Sequence, residues 1–310
     1  MVVRRFCDLN VQESSSYVDN LENIKQLVSL GYTVVALNRH YGLPKKEKEK
    51  NKRSPNEIST AEEAKKFVAQ AKQLHDRLKA DIEKLRSNQV GQSKSNTEND
   101  LVIPEKFQLL SRLTFDLDHV DQLSYLRSHS NKTIMAAFDV IAVNPKCEKC
   151  FRSLMEGKLD FDIVSFTMAD RLPFRLDHHQ VGLGTSKGLV FEIAYTTAIK
   201  SQSLRKYVFS NSQNLTSKTK HGKGIIITSG GESKMDFRAP PDVANLSNLF
   251  GLKGSFGLDA VSNTAMKAVT HALLRRDTFK GAVKVEYVGE NTCEGEIKNE
   301  EGSPKKKMKV

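Results

Sequence analysis

The sequence predicts an α/β protein built on a TIM-like (β/α) barrel of seven or eight parallel strands, with a helical insertion and a basic C-terminal tail. Short apolar runs rich in β-branched residues alternate with helical patterns, as in parallel strands joined by crossover helices. Seven such runs follow one another regularly, which favours a closed or nearly closed barrel over an open doubly wound sheet. The chain has 310 residues, and a barrel of about 200–250 residues leaves room for both additions.

The barrel is expected over residues 1–280, interrupted by an insertion at 41–105. Its strands are predicted near residues 5–11, 33–38, 107–114, 140–143, 163–167, 181–184 and 224–228. Its helices are predicted near residues 19–30, 120–128, 148–156, 201–216, 241–250 and 258–276. Residues 281–310 are predicted to form a disordered tail that ends in a lysine cluster.

The insertion has three parts. Residues 42–53 carry six Lys or Arg against two Glu without an apolar period, which predicts a solvated linker. Thr60 and Glu63 form a capping box, and apolar residues recur at helical spacing after it, which predicts a helix at about 60–86. A polar linker follows at 87–99. The narrow apolar seam of the helix leaves two alternatives: it protrudes to dock on a partner or a second copy, or it lies across the barrel.

The charge of the chain is unevenly placed. The net charge is +11 and the pI is near 9.3, which predicts a polyanionic partner. Residues 101–199 are nearly neutral, with eleven basic and twelve acidic residues, whereas residues 200–280 have thirteen basic and five acidic residues. The C-terminal third of the folded part is therefore predicted to be the basic face.

Phosphate binding is the chemistry predicted for this face, because Lys and Arg placed against phosphates release counterions. The candidates are Lys187, Lys200, Arg205, Lys206, Lys218, Lys220, Lys223, Lys234 and Arg238. Residues that follow parallel strands lie at one rim of a barrel, so Lys187, Lys234 and Arg238 are expected to face one phosphate backbone. Each of these residues taken singly is better explained as a solvated surface charge, and the prediction rests on their clustering.

Cysteine usage and hydropathy predict a reduced intracellular protein that is neither secreted nor membrane-spanning, because there are four cysteines, no hydrophobic N-terminal segment and no long apolar run. Cys147 and Cys150 form a Cys-x-x-Cys pair without the two further ligands of a structural zinc site. Two partly buried thiols at a helix start are predicted there. The proline-led cluster of Lys305, Lys306, Lys307 and Lys309 is typical of a nuclear import signal, and a solvated tail is the alternative.

Several motifs together resemble one family. They are residues 30–38 (Leu-Gly-Tyr-Thr-Val-Val-Ala-Leu-Asn), 111–114 (Ser-Arg-Leu-Thr), 138–145 (Phe-Asp-Val-Ile-Ala-Val-Asn-Pro), 145–151 (Pro-Lys-Cys-Glu-Lys-Cys-Phe), 172–174 (Leu-Pro-Phe), 188–195 (Gly-Leu-Val-Phe-Glu-Ile-Ala-Tyr), 198–200 (Ala-Ile-Lys) and 238–246 (Arg-Ala-Pro-Pro-Asp-Val-Ala-Asn-Leu). In this order they resemble the thirty-kilodalton protein subunit of ribonuclease P, the ribonucleoprotein that trims the 5′ end of precursor tRNA. The resemblance covers roughly residues 1–40 and 107–275.

The resemblance implies a non-catalytic subunit that supports the catalytic RNA of ribonuclease P, and also of ribonuclease MRP, which processes precursor ribosomal RNA. The partners it implies are the catalytic RNA, precursor tRNA within the particle and the small ferredoxin-like protein subunit, and it allows a second copy of the chain. It also implies the nucleus and nucleolus as the location. Neither a cofactor nor a membrane is expected.

The barrel also resembles metal-dependent phosphoesterases of the polymerase-and-histidinol-phosphatase type, whose metal cage begins with a His-x-His pair after the first strand. Residues 7–10 here are Cys-Asp-Leu-Asn, and no His-x-His pair occurs in the chain. His40, Asp116 and Asp118 follow predicted strands, but their spacing assembles no ligand set, so no catalytic residue and no metal ligand is predicted. Asp8 and Asn10 are expected to bond to backbone at the barrel mouth. A phosphoesterase with atypical ligands, and a protein scaffold using the 60–86 helix, are the alternatives.

Overall fold

The computed structural model describes residues 4–43, 61–91, 103–220 and 222–277. Its strands are β1 Cys7–Gln12, β2 Val34–Tyr41, β3 Gln108–Leu117, β4 Val140–Pro145, β5 Ile163–Ser165, β6 Val190–Ala194 and β7 Ile225–Thr228. These seven strands pair in sequence order, and every pair is parallel. The predicted TIM-like α/β barrel is confirmed.

The barrel closes between its first and last strands through the loop that follows β7. The Gly230 N–H donates to the Asn10 carbonyl at 2.8 Å, and the Gln12 N–H donates to the Gly231 carbonyl at 2.9 Å. The β1–β2 register shifts between Asp8 and Val11, as it does at a β-bulge. No eighth strand lies in the described part of the chain, so backbone of a loop takes its place.

The helices of the described residues are α1 Tyr17–Ser29, α2 Ala61–Gly91, α3 Asp121–Leu126, α4 His129–Ala136, α5 Glu148–Met155, α6 His178–Ser186, α7 Thr196–Lys200, α8 Gln202–Lys218, α9 Pro240–Leu246, α10 Phe256–Ala260 and α11 Asn263–Asp277. The segment predicted as one helix near 258–276 forms two helices, α10 and α11, because the chain turns at Val261 and Ser262. None of the helices within these described ranges is long and apolar enough to span a membrane.

Helix α2 connects β2 to β3 and lies across the barrel. Its seam residues Ala64 and Ala71 belong to one buried cluster with the barrel, and Leu78 and Ile82 belong to another. Leu78 is fully buried. A neighbouring pair of parallel strands needs a crossover of this kind, and α2 supplies it. Of the two alternatives left by the sequence, the structure therefore supports the helix that lies across the barrel.

The strand predicted at residues 181–184 is wrong. These residues lie within α6, and the sixth strand is β6, further along the chain. Gly184 is required for packing within the helix: a Cβ atom there would lie 2.5 Å from Met155 Sδ and 3.3 Å from the Phe191 ring. Gly184 thus lets α6 approach α5 and the sheet closely.

Cys147 and Cys150 lie at the start of α5, as predicted, and the Cys147 sulfur accepts a hydrogen bond from the Cys150 N–H. The structure joins their two sulfur atoms in a disulfide, whereas the sequence predicted two thiols. Cys7 is a buried free cysteine.

Helix α11 closes the amino-terminal end of the barrel. One of its faces is lined by Ala265, Ala268, Val269 and Ala272, which pack on interior strand residues that include Cys7, Val34, Val140, Ile163 and Val190. Asp162, which precedes β5, accepts hydrogen bonds from His271 at 2.8 Å and from Arg275 at 3.1 Å. Small side chains allow the helix to sit directly on the strand ends, and the contacts to Asp162 fix its position.

Candidate nucleic-acid interface and the barrel interior

A buried ion pair crosses the interior of the barrel. The guanidinium of Arg112 on β3 donates two hydrogen bonds to the carboxylate of Glu192 on β6, both 2.6 Å long. Arg112 has no exposed surface and Glu192 is 1% exposed. Arg112 also donates to the Leu9 carbonyl on β1 at 2.8 Å. The pair therefore ties three strands together across the barrel axis.

Polar side chains extend this pair into a continuous layer. Thr228 on β7 donates to Glu192 at 2.7 Å, Thr114 on β3 donates to Asn38 at 2.7 Å, and Asn38 on β2 donates to Asn10 at 2.8 Å. Arg112 Nε donates to Thr114 Oγ at 3.2 Å and joins the two halves of the layer.

This layer lies on the carboxyl-terminal side of the apolar interior, because its strand residues come two positions after apolar core residues on the same face. The pairs are Ala36 and Asn38, Leu110 and Arg112, Val190 and Glu192, and Ile226 and Thr228.

The charge state of Glu192 follows from this environment. Burial acts most strongly and would raise its pKa, but the charge of Arg112 and the hydrogen bonds from Arg112, Ser165 and Thr228 together hold the pKa of Glu192 below its usual value. The side chain is therefore ionised in the folded protein at neutral pH. A guanidinium and a carboxylate that neutralise each other fill the interior at the level where the strands approach the mouth.

The residues at the mouth are engaged with each other. Asn144 donates to Asp116 at 2.7 Å, and the Lys146 ammonium lies 3.7 Å from the same carboxylate. Among the described residues, no three His, Cys, Asp or Glu side chains are grouped so that they could hold a metal ion. Asp8 accepts hydrogen bonds from the Asn10 and Ser229 N–H groups, as predicted. The Asn10 side chain instead bonds to side chains, those of Gln12 and Asn38.

The nine candidate phosphate-binding residues divide between the two ends of the barrel. Those near the carboxyl ends of the strands, called the carboxyl-end set, are Lys200, Arg205, Lys206, Lys234 and Arg238. Those in segments that precede β6 or β7, called the amino-end set, are Lys187, Lys218, Lys220 and Lys223. The expectation that Lys187 shares a rim with Lys234 and Arg238 is wrong, because it depended on the strand predicted at 181–184.

Most of the carboxyl-end set already has partners within the chain. Lys200 pairs with Asp236 at 2.8 Å, and Lys234 pairs with Glu22. Arg205 Nε donates to the Ala198 carbonyl at 2.6 Å, and Arg238 Nη1 donates to two backbone carbonyls of its own loop at 2.8 Å. These contacts brace the loop after β7 and the start of α8, so these charges serve local structure first.

The amino-end set is less engaged. Lys187 donates to the Met155 carbonyl at the end of α5, at 2.7 Å. Lys218, Lys220 and Lys223 make no ion pair with any residue that the structure describes. They line a cavity of about 430 Å³ between α6 and α8, here called the α6–α8 cleft, together with His178 and His179. The described lining residues include no Asp or Glu.

Two features of these sites were not predicted from the sequence. The Arg112–Glu192 pair had a signal: each is a lone charged residue within an apolar strand segment, and a strand buried on both faces can carry a charge only if that charge is paired. No sequence signal indicated that the imidazole of His178 lies in the cleft, because its position depends on residues 178–186 forming a helix.

The chain matches the model of the family described as RNase P subunit p30 over residues 5–277. It is 36% identical over 172 residues to the ribonuclease P protein subunit p30 of Mus musculus, an alignment that covers 56% of this chain and 63% of the mouse protein. It is 28% identical over 278 residues to the probable ribonuclease P protein subunit 3 of Schizosaccharomyces pombe, covering 89% and 97% of the two chains. The chain therefore spans less than two thirds of the mouse protein but nearly all of the fission yeast one.

Two further similarities agree. The ribonuclease P/MRP protein subunit of Saccharomyces cerevisiae is 27% identical over 176 residues, which are 57% of this chain and 58% of that one. A chain in the structure of archaeal ribonuclease P with mature tRNA superposes with a TM-score of 0.56 at 16% identity, covering 92% of this chain and 99% of that one, which shows a shared fold. Because the family model spans residues 5–277, the chain belongs to the RNase P subunit p30 family.

Proposed function

We propose that this member of the RNase P subunit p30 family is a non-catalytic subunit that supports the catalytic RNA of ribonuclease P in 5′ maturation of precursor tRNA. The observation that carries the proposal is the Arg112–Glu192 pair. A phosphoesterase barrel needs anionic or imidazole ligands that converge on cations. Here the buried Arg112 guanidinium forms an ion pair with Glu192, so this carboxylate is not free to bind a metal ion. The positive charge of Arg112 would also repel a metal cation placed beside it.

The chain then contributes to the particle through binding. Three lysines of its amino-end set line the α6–α8 cleft, whose described lining includes no Asp or Glu, whereas most of its carboxyl-end set is used within the chain. We therefore assign RNA contact to Lys218, Lys220 and Lys223 first. Lys and Arg against phosphates give binding that depends on salt and little on sequence.

The partners in this proposal are the catalytic RNA, precursor tRNA within the particle, the small ferredoxin-like protein subunit and a second copy of the chain. The name of the budding yeast relative, a ribonuclease P/MRP subunit, supports a parallel role in ribonuclease MRP and precursor rRNA processing. Nuclear and nucleolar residence accompanies these roles. The candidate import residues, Lys305, Lys306, Lys307 and Lys309, lie outside the described residues.

The non-catalytic assignment is tested with the full chain purified free of nucleic acid. It is incubated with precursor tRNA in magnesium or manganese, with and without a chelator, beside the assembled particle as a positive control. We expect cleavage by the particle only. Cleavage by the isolated chain that the chelator abolishes would contradict the proposal and favour a metal-dependent phosphoesterase.

The scaffold alternative has lost its main support, since the seam of α2 is buried against the barrel. A filter-binding titration of the full chain against the catalytic RNA distinguishes the RNA-binding subunit from the protein scaffold. Salt-dependent binding supports direct RNA contact, and its absence at low salt favours a role through proteins alone.

A further inference from the structure

The α6–α8 cleft is concave and cationic at once. Lys218 ends α8, and Lys220 and Lys223 lie in the turn between α8 and β7. His178 and His179 begin α6 and line the same cleft. Lys220 has a φ of +50°, the left-handed region that a non-glycine residue rarely adopts, so the turn is held in an unusual conformation beside the cleft.

The size of the cleft indicates what can enter it. A volume of about 430 Å³ exceeds what a phosphate group needs and falls within the range of small-molecule sites, about 300–1,000 Å³. Its wall includes Gly182, where a Cβ atom would meet no atom within 4 Å. A base-paired helix presents a convex surface and cannot enter such a cavity, whereas an unpaired nucleotide can.

The hydrogen bond of His178 adds chemical selectivity. Its Nδ1 lies 2.7 Å from the Lys218 carbonyl. A carbonyl only accepts, so Nδ1 carries the proton in this contact, and whenever the ring is neutral Nε2 is the acceptor. A ribose 2′-hydroxyl is a donor that matches such an acceptor, and DNA lacks it.

We propose that the α6–α8 cleft binds one unpaired ribonucleotide of the RNA in the particle. Lys218, Lys220 and Lys223 contact its phosphate and the adjoining one, the base occupies the space beside Gly182, and the 2′-hydroxyl donates to His178. The inference rests on the proposed function and deepens it, because it places the RNA at the amino-terminal end of the barrel. Enzymes with (β/α) barrels use the opposite end for catalysis.

Gly182 provides the sharpest variant. Gly182→Gln fills the cleft without changing its charge, on a helix where glutamine is favoured over glycine. Gly182→Ala is the matched control, because it leaves the cleft open. Lys218→Gln/Lys220→Gln/Lys223→Gln removes three charges at the cleft, and Lys65→Gln/Lys66→Gln/Lys72→Gln removes three exposed charges from α2. Thermal unfolding checks that all four full-length variants fold.

Binding is measured by fluorescence anisotropy with a short oligouridylate, its deoxy counterpart and an RNA duplex. Gly182→Gln should weaken oligouridylate binding about tenfold, equivalent to about 1.4 kcal/mol, and leave the duplex affinity unchanged. The cleft lysine variant should flatten the salt dependence of oligouridylate binding by about 0.7 in log–log slope for each phosphate that is no longer neutralised. The two controls should stay within about twofold, equivalent to about 0.4 kcal/mol, because Gly182→Ala leaves the cleft open and the three α2 lysines do not line it. The wild-type chain should prefer RNA to DNA.

The outcomes separate the inference from the proposed function. If the chain binds RNA but Gly182→Gln binds oligouridylate like the wild type, no nucleotide enters the cleft and the inference is overturned while the proposed function stands. Equal weakening by both lysine variants also overturns the inference, as does equally effective competition by polyglutamate, which would assign the cleft to an acidic peptide. If the chain binds no RNA at low salt, both proposals fail.

Discussion

Replacing Glu192 with glutamine should destabilise the protein strongly, although the two side chains have nearly the same shape. The substitution leaves the Arg112 guanidinium with no exposed surface and no anionic partner. Two unit charges about 4 Å apart attract by about 4 kcal/mol at an effective dielectric constant of about 20. Breaking a buried ion pair from one side typically costs about 3–5 kcal/mol. We expect a loss of that size.

The double variant Arg112→Met/Glu192→Gln tests whether charge is the reason. It removes both charges and leaves only neutral groups, so its cost should be lower than the sum of the two single variants. Leu9 still loses a donor and Thr228 still loses an anionic acceptor, so some destabilisation persists. The coupling energy between the two positions should be about 2 kcal/mol or more, as found for residues within one network.

The measurement is equilibrium urea unfolding of the four proteins at neutral pH, followed by circular dichroism. Free energies are compared at equal m values, which shows that the folded and unfolded states have kept their surface areas. Two results would refute the reasoning: a cost below about 1 kcal/mol for Glu192→Gln, or strictly additive single effects. Either would mean that water reaches the pair, or that the layer is not the rigid unit described above.

Two further predictions concern the α2 helix. Burial, together with the nearby charge of Lys79, lowers the pKa of His75 from 6.5 to about 4. Between pH 6.5 and pH 4, His75 is therefore protonated in the unfolded chain and neutral in the folded chain. The free energy of unfolding should therefore fall as pH decreases from 6.5 to 4. His75→Gln should remove at most about 3 kcal/mol of that loss, measured by urea unfolding at pH 7 and 4.5. An equal loss of stability between these two pH values in the wild type and the variant would contradict this. Leu78→Ala should cost about 2–5 kcal/mol because Leu78 is fully buried. The exposed control Lys72→Ala should change stability by under about 0.5 kcal/mol, and equal effects of the two variants would show that the seam does not pack.

Six of the seven strands, all except the sixth, fall within a few residues of their predicted positions. The signal is plainest in β4 and β7, where a continuous apolar run rich in β-branched residues indicates burial on both faces. The sixth strand was misplaced because glycine signals two different things. At Gly184 it marks close packing of a helix, and at Gly188, with a φ of +85°, it marks the turn that enters β6.

The candidate site was less predictable, since which residues share an end of the barrel depends on element order. Because residues 181–184 were predicted as a strand, Lys187 was expected at the carboxyl end of the barrel, whereas the structure has it at the amino end. The ion pairs could not be predicted either, because their partners are distant in sequence. Lys200 and Asp236 lie 36 positions apart, and Lys234 pairs with Glu22, which is in the first helix of the chain. Local charge density indicated phosphate binding, but only the fold shows which lysines have intramolecular partners.

The closure of the barrel by α11 has a consequence for protein synthesis. The small residues of this helix complete an interior layer whose other members come from strands throughout the chain. A nascent polypeptide that has not yet released residue 277 from the ribosome therefore has an open barrel end lined by valine and isoleucine. Such exposed apolar surface is what chaperones bind and what leads to aggregation. Premature termination just before α11 should therefore yield an insoluble product, even though every strand has been translated.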